Sequence, residues 1–272
     1  MRDPNAGGAG AADQGDTGPG IDAEAPLSGC VALVTGASSG IGAATAWRLA
    51  RQGAAVAVVA RRTERLEELA VKIRGQGGSC AVLTADLGDT VQARQAVEDA
   101  VGCFARLDVL VNNAGYAAAG PIAEGDPADW ERMVGLNFNA VLHMSRAALP
   151  HLLRAAADGP RGVADLVNVS SVAGRVVRSN NAVYSATKHA VCAFSEALRQ
   201  EVTRRGVRVG LIEPGLTVTE MGVGVGRLAA HDLPQDAWLH AEDIAHAITF
   251  MITQPAHAAI NEITMRPTAQ EH

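Results

Sequence analysis

The run YSATK places Tyr184 and Lys188 four residues apart, near the start of the helical pattern NNAVYSATKHAVCAFSEALRQEV. On a helix, side chains at that spacing share one face, with Cβ atoms roughly 5–6 Å apart. A neighbouring ammonium favours the phenolate, so Lys188 is expected to draw the Tyr184 pKa below its ordinary ~10. Tyr184 would then exchange a proton near neutral pH, the task of a general acid–base group. At a pKa of ~10 only about one tyrosine in a thousand is ionised at pH 7, and each unit of depression is worth ~1.4 kcal/mol. Taken alone, the pair also reads as a core tyrosine beside a surface lysine, so the rest of the chain has to decide.

A second stretch could bind phosphate. TGASSGIG (35–42) follows the apolar run CVALVT and opens a helical pattern, bringing Gly36, Ser38, Ser39, Gly40, Ile41 and Gly42 together. Glycines let a backbone approach a pyrophosphate, and the helix N-terminus stabilises its charge. The turn stands between the first strand and first helix of a βαβ unit, where a dinucleotide fingerprint belongs. An NAD site usually ends the next strand with an acid that hydrogen-bonds the ribose 2′-hydroxyl. Here AAVAVVA (54–60) ends in Ala60, followed by Arg61 and Arg62. An acid would repel a 2′-phosphate, whereas arginine pairs with it bidentately. The expected cofactor is NADP(H), held chiefly by Arg61 with help from Arg62 or Ser39.

The elements that must position these residues are legible as an alternation. Apolar runs at 30–35, 54–60, 79–86, 107–113, 164–171, 207–215 and 260–265 alternate with helical patterns at 41–52, 63–74, 90–104, 127–153, 184–204 and 241–254. Near-continuous apolar strands separated by helices predict a parallel sheet covered on both faces. The expected architecture is one doubly wound, Rossmann-type α/β domain of about seven strands over residues 27–272. Residues 1–26 are Gly, Ala, Asp and Pro with little to bury, and read as a disordered tail. The glycine-rich stretch at about 216–238 reads as a substrate lid.

Composition narrows the partners. The net charge of −6 carries no basic block, which argues against nucleic acid. Four scattered cysteines without CxxC spacing fit a reducing cytoplasm and no zinc site. His143 and His151 have no Cys or carboxylate at ligand spacing, so no metal is expected. No stretch of 18 apolar residues exists, so no membrane span is expected, and a soluble cytoplasmic protein is.

With TGASSGIG, NNAG (112–115), Asn137, Ser171 and YSATK in this order, the chain resembles the short-chain dehydrogenase/reductase family from about Leu27 to its C-terminus. Within that family, VARRTERLEEL, PHLLR and NEITMRPTAQ resemble bacterial NADPH-dependent carbonyl reductases. The resemblance implies that Tyr184 is the general acid, and that Lys188 lowers its pKa and hydrogen-bonds the nicotinamide ribose. Ser171, thirteen residues before Tyr184, would orient the substrate carbonyl, while Ser170 packs within the sheet. Asn137 would hold a water in the proton relay. Asn112, Asn113, Ala114 and Gly115 would meet the cofactor, as would Asp86 and Leu87 at its adenine. EPGLTVTEM (213–221) matches PGxxxT, so Pro214 and Gly215 would shape a turn, with Thr217 and Thr219 toward the nicotinamide. The family pairs the helices at about 127–150 and 184–204 between subunits, which implies a homotetramer or homodimer.

The implied substrate is a small-molecule carbonyl or alcohol. Its pocket is expected between Tyr116–Gly120, Ala173–Arg178 and Leu216–Trp238, with small aliphatic walls suited to a largely apolar ketone or aldehyde. Arg175 and Arg178 could meet a substrate carboxylate, or could be solvated or paired with acids at a subunit contact. A catalytically silent NADP(H)-binding sensor on the same fold is the rival reading. Asn137, Ser171, Tyr184 and Lys188 standing together speak against it.

Overall fold

The computed structural model describes residues 25–222 and 233–271. Almost all of the expected tail and the middle of the expected lid lie outside the described residues. The strands are β1 (Val31–Thr35), β2 (Ala55–Ala60), β3 (Cys80–Thr84), β4 (Val109–Asn112), β5 (Ala164–Val169), β6 (Val207–Pro214), β7 (Thr217–Val218), β8 (Leu239–His240) and β9 (Glu262–Met265). Seven of them form one parallel sheet in the order β3-β2-β1-β4-β5-β6-β9, and β7 pairs with β8 apart from it. The helices are α1 (Gly40–Arg51), α2 (Thr63–Arg74), α3 (Thr90–Phe104), α4 (Pro127–Val134), α5 (Ala140–Asp158), α6 (Ala182–Val202) and α7 (Ala241–Ile252).

The central strands are mostly apolar because both faces of the sheet are covered. Every residue of β1, β4 and β5 is buried. On one face Val34, Val56, Val111 and Ile212 pack with Leu49 of α1 and with Ile244 and Ile248 of α7. On the other, Leu33, Val59, Leu110 and Leu166 pack with Val97 of α3 and with Met144 and Leu152 of α5. Each such side chain contributes about 1.5–3 kcal/mol on burial.

After β3 the chain returns to pair β4 on the far side of β1, with Val34 opposite Val111. That reversal splays the loops leaving the carboxyl ends of β1 and β4, and ligands of such sheets bind in the crevice between them. One expectation needs correcting. The helical stretch predicted at 127–153 is α4, then a π-helical turn at Gly135–Asn139, then α5. The wider turn inserts one residue around the buried Asn137 side chain, a distortion that periodicity in the sequence does not record.

Candidate active site

The glycine-rich turn and NNAG interlock. Thr35 Oγ1 accepts from the backbone N–H groups of Asn113 (2.8 Å) and Ala114 (2.9 Å). Asn113 Nδ2 donates to Thr35 O at 2.8 Å. A Cβ on Gly42 would lie 2.5 Å from Asn113 Nδ2 and 2.5 Å from the Gly36 carbonyl oxygen. Gly36 has φ +65°, and a Cβ there would stand 2.8 Å from Ala114 Cα. The turn therefore folds flat against NNAG only with glycine at both positions. The Ser39 side chain does not cap α1, so the first N–H groups of that helix are left to a ligand anion. These residues fit a dinucleotide pyrophosphate.

Of the two arginines after β2, the one that reaches the turn is Arg62. Its Nε and Nη2 donate to Ser38 Oγ at 3.2 and 3.0 Å, and Nη2 donates to Ser39 Oγ at 2.8 Å. Its Nη1 donates to Glu220 Oε2 at 2.7 Å, and Ser39 Oγ donates to the same oxygen at 3.3 Å. Arg61 faces Asp86 instead, 4.0 Å away. Both arginines line the cavity, but Arg62, and not the Arg61 expected to lead, is the one that meets the serines. Successive residues of an extended chain point to opposite sides, and Arg61 takes the side toward β3.

At the other end of the crevice stand Tyr184, Lys188, Ser171 and, behind them, Asn137. Ser171 hydrogen-bonds the Tyr184 hydroxyl. Its Oγ also accepts from Ala173 N at 3.1 Å and donates to Pro214 O at 3.4 Å. Ser170 turns away, donating to Lys188 O at 3.1 Å and meeting Cys192 Sγ at 3.3 Å. Lys188 Nζ donates to Val169 O at 2.9 Å and lies 5.7 Å from the Tyr184 ring centroid. Asn137 Oδ1 accepts from Tyr116 N at 2.7 Å, and Nδ2 donates to Tyr116 O at 2.8 Å and to Thr187 Oγ1 at 3.1 Å.

The expected lowering of the Tyr184 pKa does not hold for the resting protein. Burial pushes the phenol above its ordinary value, only partly opposed by the Ser171 hydrogen bond. The buried Lys188 ammonium is itself driven down to about 8 by desolvation. Both charged forms lose water on burial, and one of the three Lys188 donors goes to Val169 O rather than to the phenol.

A profile of the short chain dehydrogenase family matches residues 30–227. The chain belongs to the short-chain dehydrogenase/reductase family. An uncharacterized oxidoreductase of Staphylococcus epidermidis is 35% identical over 237 residues, covering 87% of this chain and 96% of that protein. A short chain dehydrogenase from Burkholderia cenocepacia, solved in complex with NADP, superposes with a TM-score of 0.76 at 31% identity, covering 88% of this chain and 97% of that one. A 3-ketoacyl-(acyl-carrier-protein) reductase from Brucella melitensis, complexed with NADH, gives a TM-score of 0.78 at 30% identity over 88% of this chain and 97% of its own. As a member of this family the chain is an oxidoreductase.

A cavity of about 1070 Å³ joins the two ends of this short-chain dehydrogenase site. Ser171, Tyr184, Lys188, Arg61, Arg62, Asp86, Leu87, Gly115, Pro214, Gly215, Thr217 and Thr219 all line it. Gly42, Asn112 and Asn137 stand behind the wall. Asn112 is corrected from a cofactor contact to an interior one, because its side chain turns under the sheet. Its Nδ2 donates to Asn168 Oδ1 at 2.9 Å and to Ser145 Oγ at 3.2 Å.

Beside the small aliphatic residues expected there, such as Ala117, Ala118, Ala119 and Val176, the wall carries polar residues that sequence reasoning missed, Asp129, Arg132 and Gln270. Tyr116 donates to Asp129 Oδ1 at 2.6 Å, with the Arg132 guanidinium 3.8 Å above its ring. The Asp129 carboxylate raises the Tyr116 pKa. All three line the cavity, as does Gln270, whose Oε1 accepts from Leu216 N at 2.9 Å. Tyr116 lies within the stretch expected to bound the pocket, whereas Asp129 and Arg132 were not expected there. Gln270 has no local signal, since only the closing of the C-terminus onto β6 brings it in. Of the two loop arginines, Arg178 lines the cavity. Arg175 instead pairs with the fully buried Glu213, at 2.6 Å, and with Glu262, so its counter-ions belong to its own chain.

Proposed function

We propose that this chain is an NADP(H)-dependent carbonyl reductase or alcohol dehydrogenase acting on small molecules. The observation that carries the reading is one cavity with Arg62, Ser38 and Ser39 at one end and Tyr184, Ser171 and Lys188 at the other. The bound nicotinamide supplies or accepts the hydride. Gly36, Gly40, Ile41 and the first turn of α1 hold the pyrophosphate, and Arg62 with the two serines holds the 2′-phosphate. Asp86 and Leu87 border the adenine. Asn113, Ala114 and Gly115 form the floor, while Pro214, Gly215, Thr217 and Thr219 border the nicotinamide side.

In reduction, Ser171 donates a hydrogen bond to the substrate carbonyl oxygen and Tyr184 transfers its hydroxyl proton to that oxygen as carbon gains hydride. Lys188 holds the ribose and favours the phenolate left behind. A phenol raised by burial stays protonated in the resting protein, the form that an acid for reduction requires. The polar wall of Tyr116, Asp129 and Arg132 favours a carbonyl compound with a polar end over a wholly apolar one. The finer likeness to bacterial NADPH-dependent carbonyl reductases belongs to this reading, as do a cytoplasmic home, a single catalytic domain over 27–272 and a lid at about 216–238. So does a homotetramer or homodimer. Exposed Ala182, Ala186, Ala193 and Ala197 leave α6 a flat outer face on which a second copy could pack closely.

The test is Tyr184→Phe, assayed by NADPH oxidation over a panel of aldehydes and ketones and by NADPH binding. Turnover should vanish with binding near normal. Undiminished turnover overturns the mechanism, and a wild-type protein that binds NADPH but reduces nothing on the panel favours the silent sensor.

A further inference from the structure

The acid that is missing after β2 is present from another direction. Ala60 ends the strand without a carboxylate, yet Glu220 brings one to the same corner from the segment beyond β7. Its Oε2 takes the Arg62 Nη1 donor at 2.7 Å and the Ser39 hydroxyl at 3.3 Å. Arg62 in turn fixes Ser38 and Ser39, so one carboxylate oxygen sits within the donors that the NADP(H) reading assigns to a 2′-phosphate. The segment is seated on the phosphate turn. A Cβ on Gly40 would stand 3.0 Å from Thr219 Cγ2, and Thr219 Oγ1 accepts from Gly222 N at 2.9 Å. Arg62 holds the Glu220 carboxyl below the usual carboxylate range, so the group is charged at neutral pH.

We infer that Glu220 is a specificity-determining residue for the cofactor, a built-in anion in the 2′ subsite that weakens NADPH and supports NADH. The inference rests on the NADP(H) reading for the location of that subsite. Two chemistries follow from one carboxylate. A 2′-phosphate must displace Glu220 from Arg62 and then sit beside a like charge. A 2′-hydroxyl can donate to Glu220 while Arg62 holds the carboxylate in place, the part an acid at the strand end plays in NAD sites. Displacement is feasible because the pair is open to solvent, with the Arg62 and Glu220 side chains 45% and 55% exposed, and exposed ion pairs are weak. The effect on each cofactor should therefore be a few-fold.

The experiment is calorimetric titration of NADPH and NADH, separately, into wild-type protein, Glu220→Gln and Glu220→Ala. Both variants should bind NADPH ~3–10-fold more tightly and NADH ~3–10-fold more weakly than wild type, the size of one exposed ion pair or hydrogen bond. Shifts of the same sign for both cofactors, or dissociation constants within twofold of wild type, overturn the inference. The NADP(H) reading fails by a different result, namely tighter binding of NADH than NADPH by the wild-type protein. In that event the loss of NADH affinity in the two variants still decides the part assigned to Glu220.

Discussion

Asn137 and Tyr116 exchange hydrogen bonds in both directions, the Asn137 amide accepting from Tyr116 N at 2.7 Å and donating to Tyr116 O at 2.8 Å. The pair ties the π-helical turn to the chain leaving NNAG, and the third bond, to Thr187, ties both to the helix that carries Lys188. Asn137→Ala leaves the Tyr116 backbone groups without these partners and should cost about 2–3 kcal/mol of stability. Asn137→Asp keeps the acceptor but sets a buried carboxylate against Tyr116 O, and should cost at least as much at neutral pH. Urea unfolding checks both. An alanine variant within 0.5 kcal/mol of wild type would remove Asn137 from this structural part.

The Lys188 value makes a prediction about pH. Its folded-state pKa, about 8, lies below the unfolded 10.5. Between those values the folded state binds fewer protons than the unfolded one, so stability from this group rises with pH. Relative to Lys188→Met, which has no such group, the wild-type protein should gain ~2–3 kcal/mol between pH 7 and pH 10. Parallel denaturant midpoints for the two proteins across that window would contradict the assignment.

Arg175 neutralises Glu213, whose side chain is fully buried and also receives Thr264 Oγ1 at 2.8 Å and Cys192 Sγ at 3.3 Å. Removing the arginine strands a charge, so Arg175→Ala should lower stability by about 2–3 kcal/mol. Adding Glu213→Gln to that variant should recover part of the loss, because the stranded charge is gone. A double variant no more stable than Arg175→Ala alone would show that the ion pair is not the cause.

The arginines after β2 should separate by cofactor binding. Arg62→Ala removes the donors that reach Ser38 and Ser39, and should weaken NADPH about tenfold or more, the value of a charge-assisted bond. Arg61→Ala, which loosens only a 4.0 Å contact with Asp86, should change it by threefold at most. Reversal of that order in fluorescence titrations would return the leading part to Arg61.

If the alanine face of α6 is an interface, light scattering at micromolar concentration should give the mass of two or four chains. Ala186→Arg, which places a long charged side chain on that face, should lower the mass. A single-chain mass for the wild-type protein rejects the idea.

The alternation of apolar runs with amphipathic helices determined the doubly wound sheet, because strands covered on both faces must be continuously apolar and helices must be apolar on one side. The elements at 63–74 and 90–104 fall where the pattern placed them. TGASSGIG, NNAG and YSATK were legible because their chemistry is local: glycines in a tight turn, and a tyrosine and lysine one helical turn apart. What only the tertiary structure decided is direction and distance across the fold. It turned Arg62 rather than Arg61 toward the serines, turned Asn112 under the sheet, and carried Glu220 and Gln270 to the crevice from 158 and 54 residues beyond their partners Arg62 and Leu216. It also reversed the expected Tyr184 shift. Sequence spacing reports that an ammonium is near, but burial, which follows from packing alone, sets how much the charged forms lose in leaving water.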